Sequence, residues 1–211
     1  MTALVPARHG RHPRPSRHLV VFARAPRLGT VKRRLARDLG PLEAWRFYRF
    51  TADRVLRRLA QDARWTTWLA VTPDRAVHRR GGLWPGPFAL LPQGPGDLGQ
   101  RMSRALERPA PGPVVIVGSD IPAIGPVQVA EAFRRLGEAD WVLGPAHDGG
   151  YWLIGARRRP VLRLPFDGVA WGEASALADT LANLRDQRVA LLETLVDVDT
   201  GADLARWRAS S

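Results

Sequence analysis

The chain has 211 residues, 45% hydrophobic and 25% charged, with a formal net charge of +12 and no cysteine. This length and balance suit one soluble globular domain with a sizeable core, while disulfides, thiolate chemistry and a membrane span of ~20 apolar residues are excluded. The basic residues run along helical stretches with no nucleic-acid-binding signature, so no specific nucleic acid is expected and attraction to anionic nucleotides is the simpler account of the charge.

Residues 1–17 are rich in Arg, His and Pro and lack the apolar stretch of a signal peptide. They read as a disordered basic tail, residues 18–211 as one domain, and the protein as cytoplasmic. His18 to Phe22 predicts a first strand. It runs into Ala23-Arg24-Ala25-Pro26-Arg27-Leu28-Gly29-Thr30-Val31-Lys32-Arg33-Arg34-Leu35, a loop of small residues ringed by cations. Backbone amides and cations in one loop suit phosphate binding, although neither the P-loop nor the dinucleotide glycine spacing is present; the bland alternative is a solvated basic turn. Lys32 is the one lysine among 32 Lys and Arg residues. A lysine kept in that background suggests a compact ammonium on a polyphosphate, or one exposed lysine left by chance.

Pro41 to Arg64 predicts a helix from Leu42, Trp45, Tyr48, Ala52, Val55, Leu56 and Leu59 at spacings of three and four. Thr66 to Thr72 is a second strand, Arg79 to Pro87 a loop and Phe88 to Leu91 a third strand. Gln93-Gly94-Pro95-Gly96-Asp97-Leu98-Gly99 then feeds a helix that runs through Glu107. Gln93 offers a neutral donor and acceptor for a base edge. A plain turn with Asp97 as helix cap is the alternative.

Val114-Val115-Ile116-Val117 reads as a strand buried on both faces, followed by Gly118-Ser119-Asp120-Ile121-Pro122. An Asp just beyond a central strand is well sited to hold a metal beside a phosphate, or to cap the helix beginning near Gly125. Val127 to Leu136 is helical, Trp141 to Leu143 extended, and Gly144 to Gly150 a loop in which Asp148 stands on a permissive backbone. Tyr151 to Ile154 is extended again, and Phe166 to Trp171 is an aromatic-bounded loop. A helix from Ala174 to Arg185, a strand from Ala190 to Val198 and a short helix from Ala202 to Trp207 complete the chain. Asp197-Val198-Asp199 is read as turning its two carboxylates to opposite faces, one toward the site. Alternating strands and helices predict one three-layer α/β domain on a mostly parallel sheet.

Five ordered segments carry a resemblance: Phe22-Ala23-Arg24-Ala25-Pro26 with Gly29, Val31, Lys32, Arg34 and Leu35; Asp97-Leu98-Gly99 with Arg101-Met102; Gly118-Ser119-Asp120-Ile121-Pro122; Gly144-Pro145 with Asp148-Gly149-Gly150-Tyr151; and Asp197-Val198-Asp199-Thr200. Together they resemble the bacterial arsenosugar-biosynthesis-type glycosyltransferases and, more distantly, molybdenum-cofactor and phospholactate guanylyltransferases. The resemblance implies the nucleotide-diphospho-sugar transferase (GT-A) fold. It further implies donor phosphates on Ala23, Arg24, Ala25, Pro26, Gly29, Lys32 and Arg33, and the base near Gln93 and Gly99. Mg2+ or Mn2+ would lie at Asp120 and Asp199, and the acceptor near Asp148, Gly149, Gly150, Tyr151 and Trp171. Lys32 and Asp148 are the catalytic candidates. Arg24, Arg33, His147 and Gly172-Glu173 depart from the family pattern. The implied reaction is glycosyl transfer from a nucleotide-sugar to a small acceptor, or nucleotidyl transfer from an NTP to a sugar phosphate or phosphoacid.

Overall fold

The computed structural model describes residues 17–78, 84, 86, 88–159 and 162–209. The predicted tail (apart from Arg17) and most of the predicted 79–87 loop lie outside the described residues. The strands are β1 (His18–Arg24), β2 (Thr66–Thr72), β3 (Ala89–Pro92), β4 (Val114–Gly118), β5 (Trp141–Pro145), β6 (Tyr151–Ala156) and β7 (Val189–Leu191). They form a seven-stranded sheet in the order β3-β2-β1-β4-β6-β5-β7. β6 runs antiparallel to both β4 and β5, and every other pairing is parallel.

Residues of opposite parity on each strand face two separate cores, as a period-two chain covered on both sides requires. On one face Leu19, Val21, Val115 and Val117 pack with Val55, Leu56 and Leu59 of α2 (Pro41–Ala60) and Val129, Ala132 and Phe133 of α4 (Pro126–Arg135). On the other, Val20, Ile116 and Ile154 pack with Met102, Ala105 and Leu106 of α3 (Leu98–Glu107) and with partly buried Leu177 and Leu181 of α5 (Ala176–Ala182). The three-layer architecture is the expected one.

Several boundaries differ from the sequence reading. Arg33–Leu39 forms a helix, α1, whose first three residues fall in the predicted loop; good helix formers continue until Gly40, whose positive φ of 85° breaks the run before α2. The predicted last strand keeps only Ala190 and Leu191, joined by Val189 in β7, and beyond Leu192 an isolated Ala146–Leu195 bridge continues the pairing beside β5. A short α6 (Gly201–Ala209) closes the described chain. A third small cluster, Leu35, Ala44, Val198 and Leu204, ties α1, α2 and α6 together. It brings the C-terminal segment up to the first loop.

Candidate active site

Along the order β3-β2-β1-β4 the chain leaves β1 toward one edge and crosses back at β4, so the crevice beyond these two strands is where such sheets collect ligands. Pairing of β1 with β4 ends at Phe22 and Gly118, while β1 stays beside β2 out to Arg24 and Thr72. Arg24 therefore points its N–H and C=O toward a neighbour that has already diverged. Tyr48, from α2, fills the gap: its hydroxyl accepts from the Arg24 N–H at 2.8 Å and donates to the Arg24 carbonyl at 2.9 Å. Ser119 Oγ lies 3.3 Å from the same hydroxyl. Burial pushes the Tyr48 phenol up to about 12, which keeps it neutral.

A cleft of about 390 Å³ opens at this point. Of the candidates, Ala23, Arg24, Lys32, Arg33, Gln93 and Asp120 line it, joined by Tyr48, Thr72 and Ser119 among others. The volume lies in the range of small-ligand sites. Pro26 instead lines a neighbouring cavity beside Trp45, whose Nε1 donates to the Pro26 carbonyl at 2.8 Å.

Lys32 dominates the electrostatics. It caps α1 in the left-handed region, φ 45° and ψ 55°, a conformation that costs a non-glycine residue about 1–2 kcal/mol and is held here by its surroundings. Its side chain is 4% exposed, with Nζ 3.0 Å from Asp120 Oδ2 and 2.7 Å from Asp199 Oδ1. Burial alone would lower the ammonium; the two carboxylates outweigh it and hold the group charged, well above the ordinary lysine value. Arg34 Nη1 approaches the other oxygen, Asp199 Oδ2, at 3.7 Å.

Asp199 reaches Lys32 across 167 positions because Val198 is buried against Leu35 and Ala44. Asp203 then fixes the turn: its Oδ2 accepts from the Asp199 N–H, the Thr200 N–H and the Thr200 hydroxyl, while Thr200 Oγ1 accepts from the Asp203 N–H. Burial raises the Asp203 carboxyl, but these donors and Arg206 prevail and hold it at about 2. The expectation that Asp197 and Asp199 face opposite ways is corrected here. Val198 is 1% exposed and both aspartates are half-buried on its far side, because residues two apart on an extended chain share a face. Asp197 feels the charges of Asp199, Lys32, Asp148 and Asp120, and burial, the largest cause, raises its carboxyl.

Asp120 does not cap a helix: the residue before α4 is Gly125, whose N–H is taken by Gln128 Oε1 at 3.1 Å. Asp97, by contrast, caps α3, accepting from the Gln100 N–H at 2.8 Å while Gln100 Oε1 accepts from its own N–H. Gln93 spends its amide N–H groups on the Ala23 and Ala70 carbonyls, which leaves its carbonyl as the polar edge available to the cleft. Gly99 does not line the cleft and sits beneath the aromatic loop: a Cβ there would stand 2.8 Å from Phe166 Cβ and Trp171 Cζ2. Tyr151 meets Trp171 edge-on at 6.4 Å. Asp148 is exposed, and its Oδ1 accepts from the Gly150 N–H at 2.9 Å. Gly149 has φ 85°, and its added Cβ would fall 2.1 Å from the Ala174 carbonyl oxygen.

Among the described residues no group of three or more His, Cys, Asp or Glu side chains is arranged to hold a metal. Two carboxylates beside a cleft of small-ligand size lined by cations fit the mode in which Mg2+ is held by one or two carboxylates, substrate phosphates and water. Tyr48 and Ser119 line the cleft although the sequence reading assigned them no role in it. A tyrosine at a core position of a helix, whose hydroxyl must find a partner, is the signal that could have found the first.

No curated protein matches the chain. A crystal structure of a presumed nucleotide-diphospho-sugar transferase from Desulfovibrio desulfuricans G20 is 32% identical, covering 92% of this chain and 87% of that one, with a TM-score of 0.85. The same fold recurs in 4-diphosphocytidyl-2C-methyl-D-erythritol synthase from Anaerococcus prevotii DSM 20548 (12% identity, TM-score 0.56, 92% and 97% covered). It recurs again in glucosyl-3-phosphoglycerate synthase from Mycobacterium tuberculosis, solved with Mn2+, UDP and glucosyl-3-phosphoglycerate (11% identity, TM-score 0.54, 91% and 75% covered). The structural neighbours are thus sugar transferases and nucleotidyltransferases of the GT-A type. Residues 55–173 match the family DUF2064, described as uncharacterized protein conserved in bacteria, and the chain belongs to that family.

Proposed function

We propose that this protein is a metal-dependent glycosyltransferase that moves a sugar from a nucleotide-sugar to a small-molecule acceptor. The observation that carries the reading is the convergence of the Ala23–Lys32 loop, Asp120 and Asp199 on one ammonium at the crevice between β1 and β4. The likeness to the Desulfovibrio protein supports a sugar as the transferred group, as do the five ordered segments that resemble those of arsenosugar-type glycosyltransferases.

The cleft takes the nucleotide, with Arg24, Lys32 and Arg33 around its phosphates and Gln93 presenting its carbonyl to the base. Asp120 and Asp199 hold Mg2+ or Mn2+, which when bound neutralises charge building on the leaving diphosphate. Asp148, braced by the Gly150 N–H, accepts the proton of the acceptor hydroxyl as its oxygen bonds to the sugar carbon and the bond to the diphosphate breaks. Gly149, Gly150, Tyr151 and Trp171 border the acceptor.

A second reading, nucleotidyl transfer with release of pyrophosphate, is favoured by the buried ammonium and dense arginines of the first loop, which suit a triphosphate. Thermal-shift screening of the four NTPs and common NDP-sugars with Mg2+ or Mn2+ separates the two. A ligand at 100 times its dissociation constant stabilises the fold by about 2.7 kcal/mol. NDP-sugars shifting the melt while NTPs do not supports glycosyl transfer; one NTP dominating replaces it with the second reading; no shift with any of them removes both.

A further inference from the structure

The two carboxylates assigned to a divalent cation are already bound to a cation supplied by the chain. Lys32 Nζ lies 3.0 Å from Asp120 Oδ2 and 2.7 Å from Asp199 Oδ1, and Arg34 approaches the remaining oxygen of Asp199 at 3.7 Å. Mg2+ needs its oxygens at ~2.1 Å. An ion shared by these two aspartates therefore stands either where Nζ stands or within a few ångströms of it. Like charges so close repel strongly in a half-buried site, where screening is weak. Lys32 also lines the cleft, beside Arg24 and Arg33, so an anion bound there would lie within the reach of its four-carbon stem.

We infer that Lys32 is a stand-in cation that closes the metal site in the nucleotide-free protein and leaves the carboxylates for the donor phosphates when nucleotide enters. The inference rests on the metal-and-nucleotide reading given above. It makes binding ordered: the divalent ion alone competes with a tethered ammonium and binds poorly, whereas nucleotide draws the ammonium away and uncovers Asp120 and Asp199. The left-handed backbone at Lys32 and its place at the head of α1 set the side chain between the two anion sets. The cost of holding the two carboxylates together without metal falls on one side chain. The protein is thereby guarded against taking up metal without substrate.

Because Lys32 is the sole lysine, labelling lysine with 15N at Nζ gives one side-chain nitrogen signal in the whole chain. That signal is followed in the wild-type protein with Mg2+ alone, and with Mg2+ together with each of ADP, CDP, GDP and UDP. Mn2+ affinity is measured in parallel by electron paramagnetic resonance, without nucleotide, on wild type and Lys32→Met. The expected result is a lysine signal indifferent to Mg2+ up to millimolar concentration but displaced when a nucleotide binds with it. Lys32→Met should bind Mn2+ at least ~10-fold more tightly than wild type, within the usual range of coupling between sites. A lysine signal unmoved by bound metal and nucleotide overturns the inference and leaves the reading of the cleft standing. Mn2+ binding equally or more weakly to a folded Lys32→Met does the same. Failure of every nucleotide and of Mn2+ to bind either protein removes the reading of the cleft and the inference with it. If Lys32→Met does not fold, the wild-type signal alone decides.

Discussion

Tyr48→Phe removes one oxygen and keeps the ring, so it isolates what the hydroxyl does where β1 and β4 separate. That oxygen is the partner of both the Arg24 N–H, at 2.8 Å, and the Arg24 carbonyl, at 2.9 Å, and its own residue is 4% exposed. A buried backbone group left unpaired costs roughly 1–3 kcal/mol, and two are orphaned here. Arg24 itself is exposed, so water partly relieves them, and the expected loss is about 2–4 kcal/mol. In a domain of this size 1 kcal/mol corresponds to ~2–4 °C, so the melting temperature should fall by about 4–16 °C. Circular dichroism melts of both proteins at pH 7 make the measurement. A fall of less than ~2 °C would refute the reasoning, because Arg24 would then be satisfied without Tyr48.

Asp120→Ala and Asp199→Ala should each weaken Mg2+-dependent nucleotide binding by at least ~10-fold while metal-free affinity holds or rises, because Lys32 loses one of its two carboxylates; equal losses with and without metal, measured by calorimetric titration, would remove the metal from the site. Gly149→Ala should cost at least ~3 kcal/mol, because its Cβ meets the Ala174 carbonyl at 2.1 Å, whereas Gly29→Ala, with open space around a φ of 76°, should cost only the ~1 kcal/mol of the left-handed backbone. Urea melts of the pair check this, and similar midpoints would mean that the loop beside Ala174 yields. His18 is 3% exposed, accepts at Nδ1 from Trp68 Nε1, and is held below the ordinary histidine value by burial and then by Arg158. A lowered folded value means that the unfolded chain takes up the proton first, so this stability is present above pH ~6.5 and declines as pH falls below it. Urea midpoints from pH 8 to 5 should fall more steeply for wild type than for His18→Phe.

Much of the scaffold could be read along the chain. Four consecutive β-branched residues at 114–117 announce a strand dry on both faces, and all four are at most 3% exposed. Pro41 and the spacing of Val55, Leu56 and Leu59 announce α2 equally well. Such signals are local: burial on a periodic element imposes a periodic pattern that survives in one dimension. The first loop and Asp120 are site candidates for the same kind of reason, since small residues, cations and a carboxylate at a strand end are local chemistry; Asp199 is singled out only through the family resemblance.

Tertiary structure decided the pairings. Nothing adjacent to Lys32 in the chain indicates that Asp120 and Asp199 will surround it, because Asp199 arrives through the packing of Val198 on Leu35 and Ala44, 167 positions away. The same holds for Tyr48, whose spacing marks it as core and whose hydroxyl finds its role only where β4 turns away from β1. Gly99 and Gln93 show the same. Their sequence context suits contact with a base, but only the fold shows that Gly99 admits Trp171 and that the Gln93 N–H groups tie two carbonyls and leave its carbonyl for the cleft. Propensity and hydrophobic period act over a few residues and were determined by the sequence alone. Which charges meet, and which polar groups are already satisfied, depends on distances that exist only once the sheet has brought remote segments together.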